Sequence, residues 1–167
     1  MVPKAWSNMT MELDKLIAQK IEERGVELGQ IAELTYFLQS PYFPDLTVEV
    51  CLENVLAVLK KREVQNAVLT GIRLDELAEE KLLGGPLQEM VEADYSLYGI
   101  DEILAFSILN VYGSIGFTNY GYIDKLKPGI LKEIDAKGKT GQSCQTFMDD
   151  LVGAIAAAAA SRIAHRK

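Results

Sequence analysis

The chain has 167 residues, of which 49% are hydrophobic and 25% are charged, and this composition predicts one globular domain spanning residues 1–167. The formal net charge of −7 argues against a broad nucleic-acid-binding surface. A single histidine, His165, excludes a mid-chain Ser-His-Asp triad, and two cysteines, Cys51 and Cys144, are too few for a disulfide framework.

Helical periodicity dominates the first third of the chain. Apolar residues recur at helical spacing over residues 10–25 and again over residues 27–39. The prolines of SPYFPDLT, residues 40–47, predict a loop. Thr47 is a candidate N-cap for the next helix, which we expect over residues 48–61.

The middle of the chain also predicts helices. Residues 62–83 are expected to form one or two helices with an interruption near Gly71. A turn follows, after which Pro86 suits the first turn of another helix. Residues 100–113 are apolar on almost all sides, and this pattern is typical of a buried central helix.

The last third contains glycine-rich and alanine-rich segments. The glycines and aromatic residues of residues 114–122 predict a bend or a broken helix, and a further helix is expected to begin near Pro128. A final helix is expected over about residues 145–163, where alanines permit close approach of neighbouring helices. With no clear alternating strand pattern, we predict an all-α multihelical bundle in which a central apolar helix is surrounded by others.

Several carboxylates lie within or beside the most apolar segments, where charged groups are rarely buried without compensation. They are Asp101, Glu102, Asp124, Asp149 and Asp150. The two adjacent pairs lie at predicted helix starts, where the helix dipole favours acids, and Asp124 is placed to pair with Lys127. The alternative is that the three segments converge on one hard cation such as Mg²⁺, which prefers oxygen ligands.

The order of these segments resembles a known family. The Asp101-Glu102 pair, then YIDKLKPGI, then MDDLVGAIAAA are similar in order and spacing to motifs of the phosphatidylglycerophosphatase A family. That family carries a D-E pair opening an apolar helix, an F-D-x-x-K-P motif, and a D-D pair before a helix of small residues. Asp94 also falls where the family tends to place an acid, and the resemblance extends roughly from Asp94 to Ala160.

The resemblance implies a Mg²⁺-dependent phosphomonoesterase of phospholipid metabolism that converts phosphatidylglycerophosphate to phosphatidylglycerol and phosphate. On this basis Asp124, Lys127 and Asp149 are the expected catalytic residues. The expected metal ligands are Asp101, Glu102, Asp124, Asp149 and Asp150, with Asp94 as a further candidate.

The sequence also gives expectations about location and partners. The longest apolar run, Leu151 to Ala160, is about half as long as a membrane span requires, and the N-terminal sequence lacks the apolar segment of a secretory signal. We therefore expect a cytoplasmic protein, either free or peripheral at the inner face of the membrane, that does not bind nucleic acid. Its substrate would be a lipid headgroup at the membrane surface or a water-soluble phosphate ester. The sequence is also compatible with a homo-oligomer.

Two other functions remain open at this level. The amphipathic helices near the N-terminus suit a non-catalytic interaction module, in which the acids are only helix caps and surface charges. A Mg²⁺-dependent nucleotide pyrophosphohydrolase is the second alternative, since such enzymes carry E-x-x-E repeats on facing helices. The segment ELAEE, with Glu76, Glu79 and Glu80, is a weak version of that repeat.

Overall fold

The structure is a computed structural model that describes residues 4–166, with side chains from residue 12 onward. Within these residues there are nine α-helices and no β-strand, which confirms the all-α prediction. The helices are α1 (Lys4–Glu23), α2 (Leu28–Gln39), α3 (Val48–Leu59), α4 (Arg62–Glu79), α5 (Gly85–Glu92), α6 (Ile100–Leu109), α7 (Gly113–Leu126), α8 (Ile130–Lys139) and α9 (Met148–Ala164). The single-domain assignment over 1–167 stays a prediction, and its ends, residues 1–3 and 167, lie outside the described residues.

Helix α9 is the central helix of the bundle. It contacts α2, α3, α4, α6, α7 and α8, and every residue of α9 except Asp149, Arg162 and Ala164 is buried. The run of five alanines from Ala156 to Ala160 explains this position, because small side chains allow the backbones of several neighbours to approach at once. The predicted central apolar helix is thus present, but it is the last helix of the chain.

The prediction that residues 100–113 form that buried central helix is wrong. Helix α6 packs against α4, α7 and α9 on one side only. Ala105, Ile108 and Leu109 are buried there, whereas the side chains of Ile100 and Ile103 are largely exposed. Hydropathy on all sides of a helix therefore did not indicate burial on all sides in this segment.

Two local signals in the sequence correctly predicted where helices begin. The Thr47 side chain accepts a hydrogen bond from the Val50 amide at 3.4 Å, as expected of an N-cap. Pro86 lies in the first turn of α5, where the backbone N–H that proline lacks has no partner within the helix. Both signals depend on backbone chemistry within a few residues, so they did not require knowledge of the tertiary structure.

Two predicted interruptions are absent from the helices. Helix α4 continues through Gly71, and α7 continues through residues 114–122. Gly71 has a packing role, because a Cβ atom there would lie 2.6 Å from Leu151 Cδ1 and 3.2 Å from Phe147 Cβ. The glycine therefore lets α4 lie close to the start of α9. Among the described residues, no helix combines the length and apolarity needed to cross a bilayer.

Candidate metal centre

Three carboxylates meet where the end of α7 faces the start of α9. Asp124 lies in the last turn of α7, and Asp149 and Asp150 lie in the first turn of α9. Each contributes one oxygen to a group in which all oxygens lie within 4.8 Å of one another. Two of the three segments that the sequence analysis singled out therefore converge, which is the first requirement for a shared cation.

Lys127 bridges two of these carboxylates. Its ammonium donates hydrogen bonds to Asp124 Oδ1 at 2.6 Å and to Asp149 Oδ2 at 2.8 Å. The expected ion pair with Asp124 is thus present, and a second pair is added to it. Lys127 caps α7 in the left-handed conformation, with φ of 48°, so the chain turns at this residue. One end of the Lys127 side chain is fixed by this turn and the other by two carboxylates.

Asp150 is held by a buried tyrosine. The Tyr120 hydroxyl donates to Asp150 Oδ1 at 2.6 Å, and the Asp150 amide donates to Asp149 Oδ1 at 2.9 Å. Tyr120 lies four residues before Asp124, on the same face of α7, which directs both side chains toward α9. Tyr120 was not among the sequence-predicted site residues, although its spacing from Asp124 is a signal that could have found it.

Asp101 joins the edge of this group. Its side chain is buried, and Oδ1 has no hydrogen-bond partner among the described residues. Burial raises the pKa of Asp101, and the charges of Glu102 and Asp124 raise it further. The charge of Asp101 also raises the pKa of Asp150. The segment that contains Asp101, the third that the sequence analysis singled out, therefore lies within electrostatic reach of the other two. A buried carboxylate oxygen without a donor is the kind of atom that a cation would satisfy.

The other two sequence candidates differ from each other in position. Asp94 is exposed, but it lies near enough to raise the pKa of Asp149. Partial desolvation of its carboxyl group by the surrounding protein, followed by the charge of Asp101, raises the pKa of Asp94 itself. Glu102 is exposed on α6 and is not among the three acids whose oxygens lie within 4.8 Å of one another. Adjacent residues of a helix point about 100° apart, so α6 turns Asp101 inward and Glu102 outward.

The electrostatics of the group are those of crowded carboxylates with too little positive charge. Burial raises the pKa of Asp149 and of Asp150, and for Asp150 the neighbouring charge of Asp149 adds to the increase. Burial acts to lower the pKa of Lys127, but Asp149 and Asp124 outweigh it, so the pKa of Lys127 is raised and its amine stays protonated. One ammonium faces several acids, and a divalent cation fits the remaining charge and the all-oxygen donor set.

A cavity adjoins the carboxylates. Its volume is about 470 Å³, and its walls come from the end of α5, from α8 and from the segment that leads into α9. Asp149 and Asp94 lie on its wall together with Lys139, Gln145 and Thr146. This volume lies within the range of small-molecule sites, so there is room for a phosphate ester beside the acid group.

Asp75, which the sequence analysis did not single out, positions the start of α9. This carboxylate on α4 is fully buried and accepts hydrogen bonds from the Phe147 amide at 3.1 Å and the Met148 amide at 3.0 Å. These amides have no partner within α9, whose own N-cap residue gives no side-chain bond. Asp75, on α4, therefore caps the start of α9. The Met148 amide that it accepts from belongs to the residue directly before Asp149. A lone acid within an amphipathic helix gave no signal of this role.

The acids of the segment ELAEE already have basic partners. Glu76 pairs with Arg73 at 3.1 Å, Glu79 with Arg24 at 2.8 Å, and Glu80 with Arg73 at 3.0 Å. The pair of Glu79 with Arg24 joins α4 to the residue that follows α1. The two pairs with Arg73 lie along α4 itself. This arrangement does not support the interpretation of the segment as the metal-binding repeat of a pyrophosphohydrolase.

Comparisons with known proteins agree with the motif order. The sequence model of the family described as Phosphatidylglycerophosphatase A matches residues 20–165. The chain is 67% identical over 147 residues to the uncharacterized protein YutG of Bacillus subtilis strain 168, covering 88% of this chain and 87% of YutG.

Two solved structures have the same fold. A protein of unknown function from Bacillus stearothermophilus is 63% identical, with a TM-score of 0.88 over 92% of this chain and 94% of that chain. The low temperature requirement C protein from Listeria monocytogenes is 60% identical, with a TM-score of 0.88 over 92% of this chain and 95% of that chain. The helical bundle described above is thus shared with these two proteins.

Proposed function

This chain belongs to the phosphatidylglycerophosphatase A family, and on that premise we propose that it is a Mg²⁺-dependent phosphomonoesterase. Its substrate under this proposal is phosphatidylglycerophosphate, and its products are phosphatidylglycerol and inorganic phosphate. Family membership supports a phosphatase in general terms, whereas the metal and the lipid substrate are parts of the proposal.

The observation that carries the proposal is the group formed by Asp124, Asp149 and Asp150 with Lys127. Carboxylate oxygens from two helices lie within 4.8 Å of one another, and the lysine ammonium lies between two of them. A structural ion pair needs one acid for each base, and this site has three acids for one lysine. The excess of carboxylates beside a cavity of about 470 Å³ favours a metal-assisted reaction on a phosphate ester.

The metal ligands in this proposal are Asp124, Asp149, Asp150 and Asp101. Asp101 is included because its buried Oδ1 has no donor in the described part of the chain, and Glu102 is left out because its side chain is exposed. Bound Mg²⁺ would supply charge withdrawal from a phosphoryl oxygen and a lower pKa for a coordinated water molecule. Tyr120 fixes the orientation of Asp150 through its hydroxyl hydrogen bond.

Lys127 and Asp149 have the remaining roles. The Lys127 ammonium neutralises negative charge on the phosphate as a point charge, within reach of both Asp124 and Asp149. Asp149 lies on the cavity wall, which places it nearest to an entering ester among the three clustered acids. Asp149 is the proposed proton acceptor for the attacking water, through a carboxylate oxygen that does not contact the metal.

Phosphate release provides a direct test. Purified protein with Mg²⁺ should release inorganic phosphate from phosphatidylglycerophosphate, and removal of the metal with EDTA should stop the reaction. Asp124→Asn keeps the shape of the side chain but removes the charge, and it should lower kcat/KM by at least about 100-fold, since even partners of metal ligands cost up to about that much. Asp45→Asn, which changes an exposed aspartate in a loop, is the matched control and should leave the rate unchanged.

The outcomes separate the alternatives. Full activity of Asp124→Asn would reject the site. Release of pyrophosphate from nucleotides, without phosphate release from the lipid, would indicate a pyrophosphohydrolase. An absence of Mg²⁺-dependent turnover on any phosphate ester, together with an unchanged thermal midpoint when Mg²⁺ is added, would favour the non-catalytic module.

A further inference from the structure

Four exposed apolar side chains lie between the end of α5 and the middle of α6, and we call them the apolar rim. Their exposed fractions are 64% for Tyr95, 99% for Leu97, 52% for Ile100 and 60% for Ile103. Ile100 and Ile103 are three residues apart, so they lie side by side on the outer face of α6. Scattered exposed apolar residues are ordinary, but a group in nine consecutive residues indicates an interaction surface.

The apolar rim is flanked along the chain by two acids of the candidate metal centre. Asp94, on the cavity wall, directly precedes Tyr95, and Asp101 directly follows Ile100. Between them, the Tyr98 ring packs edge-on against the Phe147 ring with centroids 6.0 Å apart, two residues before Asp149. This contact fixes the segment to the start of α9 while the rim side chains point away from the core.

Packing and backbone preference do not account for the residue at position 97. Leu97 is almost fully exposed, so its side chain stabilises nothing within the described chain. Its backbone has a φ of 68°, in the left-handed region that glycine and asparagine adopt more readily than leucine. A leucine at this position is explained if its side chain is buried against something outside the described chain.

We propose that the apolar rim inserts into the surface of a lipid bilayer and holds the candidate metal centre at the level of the headgroups. The inference rests on the proposed function, because the acyl chains of that substrate lie in a bilayer and only its phosphate must reach the carboxylates. Tyrosine and long aliphatic side chains are the residues that partition into the interfacial layer. The formal net charge of −7 opposes general electrostatic attraction to anionic lipid, so we assign the docking to apolar contact.

Binding to vesicles tests the rim without any measurement of catalysis. The rim variant combines Leu97→Asn, which suits the left-handed backbone, with Ile103→Gln, which suits an exposed helix. The control variant combines Tyr42→Asn with Leu56→Gln, at two exposed apolar positions outside the rim. In sedimentation with uncharged phosphatidylcholine vesicles, we expect the rim variant to bind at least about tenfold more weakly than wild type and the control to match wild type.

Activity on two substrate forms separates this inference from the proposed function. The rim variant should lose activity on phosphatidylglycerophosphate embedded in vesicles and retain it on a water-soluble short-chain form. If wild type hydrolyses neither form, the proposed function is wrong. The vesicle-binding measurement then still tests whether the apolar rim binds a bilayer.

Three results would overturn the inference that the apolar rim inserts into a bilayer. The first is vesicle binding by the rim variant that equals wild type, or no vesicle binding by either. The second is a requirement for anionic lipid, which would indicate a basic contact. The third is a rim variant that is monomeric by light scattering where wild type is dimeric, with vesicle binding unaffected, which would identify a contact between two copies of this chain.

Discussion

Helices α6 and α9 begin with the same sequence pattern, an acidic pair followed by an apolar run, and yet they occupy different places in the bundle. Helix α9 is enclosed by six other helices, whereas α6 packs on one side and exposes Ile100 and Ile103 on the other. Side-chain size accounts for the difference. The run in α9 is mostly alanine, which lets neighbours approach from every direction, while the isoleucine, leucine and phenylalanine of α6 hold neighbours further away.

The acidic pairs differ in the same way. Both Asp149 and Asp150 of α9 belong to the carboxylate group, and only the first acid of α6, Asp101, turns inward. In the first turn of α9, Asp149 faces the cavity and bonds to Lys127, while Asp150 bonds to Tyr120, so both acids lie at the site. A surface helix can direct one acid to the site and the other to water.

The largest expected effect compares the two pairs directly. Asp149→Asn should reduce kcat by about 10²- to 10⁴-fold, because it removes both a carboxylate of the group and the proposed proton acceptor. Glu102→Gln, which changes the exposed acid of α6, should leave kcat within about twofold. Steady-state phosphate release measures the kcat of both variants. Equal losses of kcat would mean that the exposed Glu102 matters to the reaction as much as Asp149.

The next effect concerns how the first amides of α9 are satisfied. Burial raises the pKa of Asp75 to about 7, outweighing the hydrogen bonds from Phe147 and Cys144 and the charge of Arg24. The unfolded chain has an aspartate pKa near 4. The folded state therefore holds a proton that the unfolded state has lost between about pH 4 and pH 7, and this raised pKa contributes stability at low pH that is lost as the pH rises.

Asp75→Asn tests this linkage. We expect the free energy of unfolding of wild type, relative to Asp75→Asn, to fall as the pH rises through that window, with a slope of at most about 1.4 kcal/mol per pH unit. Urea denaturation at several pH values measures the difference. A constant difference between wild type and Asp75→Asn would show that Asp75 titrates as it does in the unfolded chain.

The smallest effect compares added volume in the two helices. Ala158→Leu places three extra carbons at a fully buried position of α9 and should destabilise the fold by about 1–3 kcal/mol. Ser107→Leu makes a similar addition on the exposed side of α6 and should change stability by no more than about 0.5 kcal/mol. Urea midpoints of the two variants measure this contrast, and similar losses would contradict the central position of α9.

Much of the fold was predictable because helix starts depend on local chemistry. Thr47 as a cap and Pro86 in a first turn are properties of a few neighbouring residues. The Asp124–Lys127 pair followed from a spacing of three on a helix. The proximity of Asp124 to Asp149 and Asp150 came from the order of family motifs, since no periodicity relates α7 to α9.

The features that sequence reasoning missed depend on contacts between distant segments. Gly71 suggested a break in a helix, but its lack of a side chain makes room for Leu151, 80 positions further along the chain. Asp75 looked like an ordinary surface acid of α4, and only the position of α9 reveals which amides it caps. The exposure of α6 was likewise a matter of which apolar helix packs better at the centre, and that competition cannot be decided from either helix alone.

The alanine run of α9 also affects the entropy of folding. Leucine or methionine at a bundle centre must give up several rotamers when the chain folds, whereas alanine has none to lose. Ordering Ala156 to Ala160 therefore carries only the backbone term, and the loss of side-chain freedom falls on the larger residues of the helices around it.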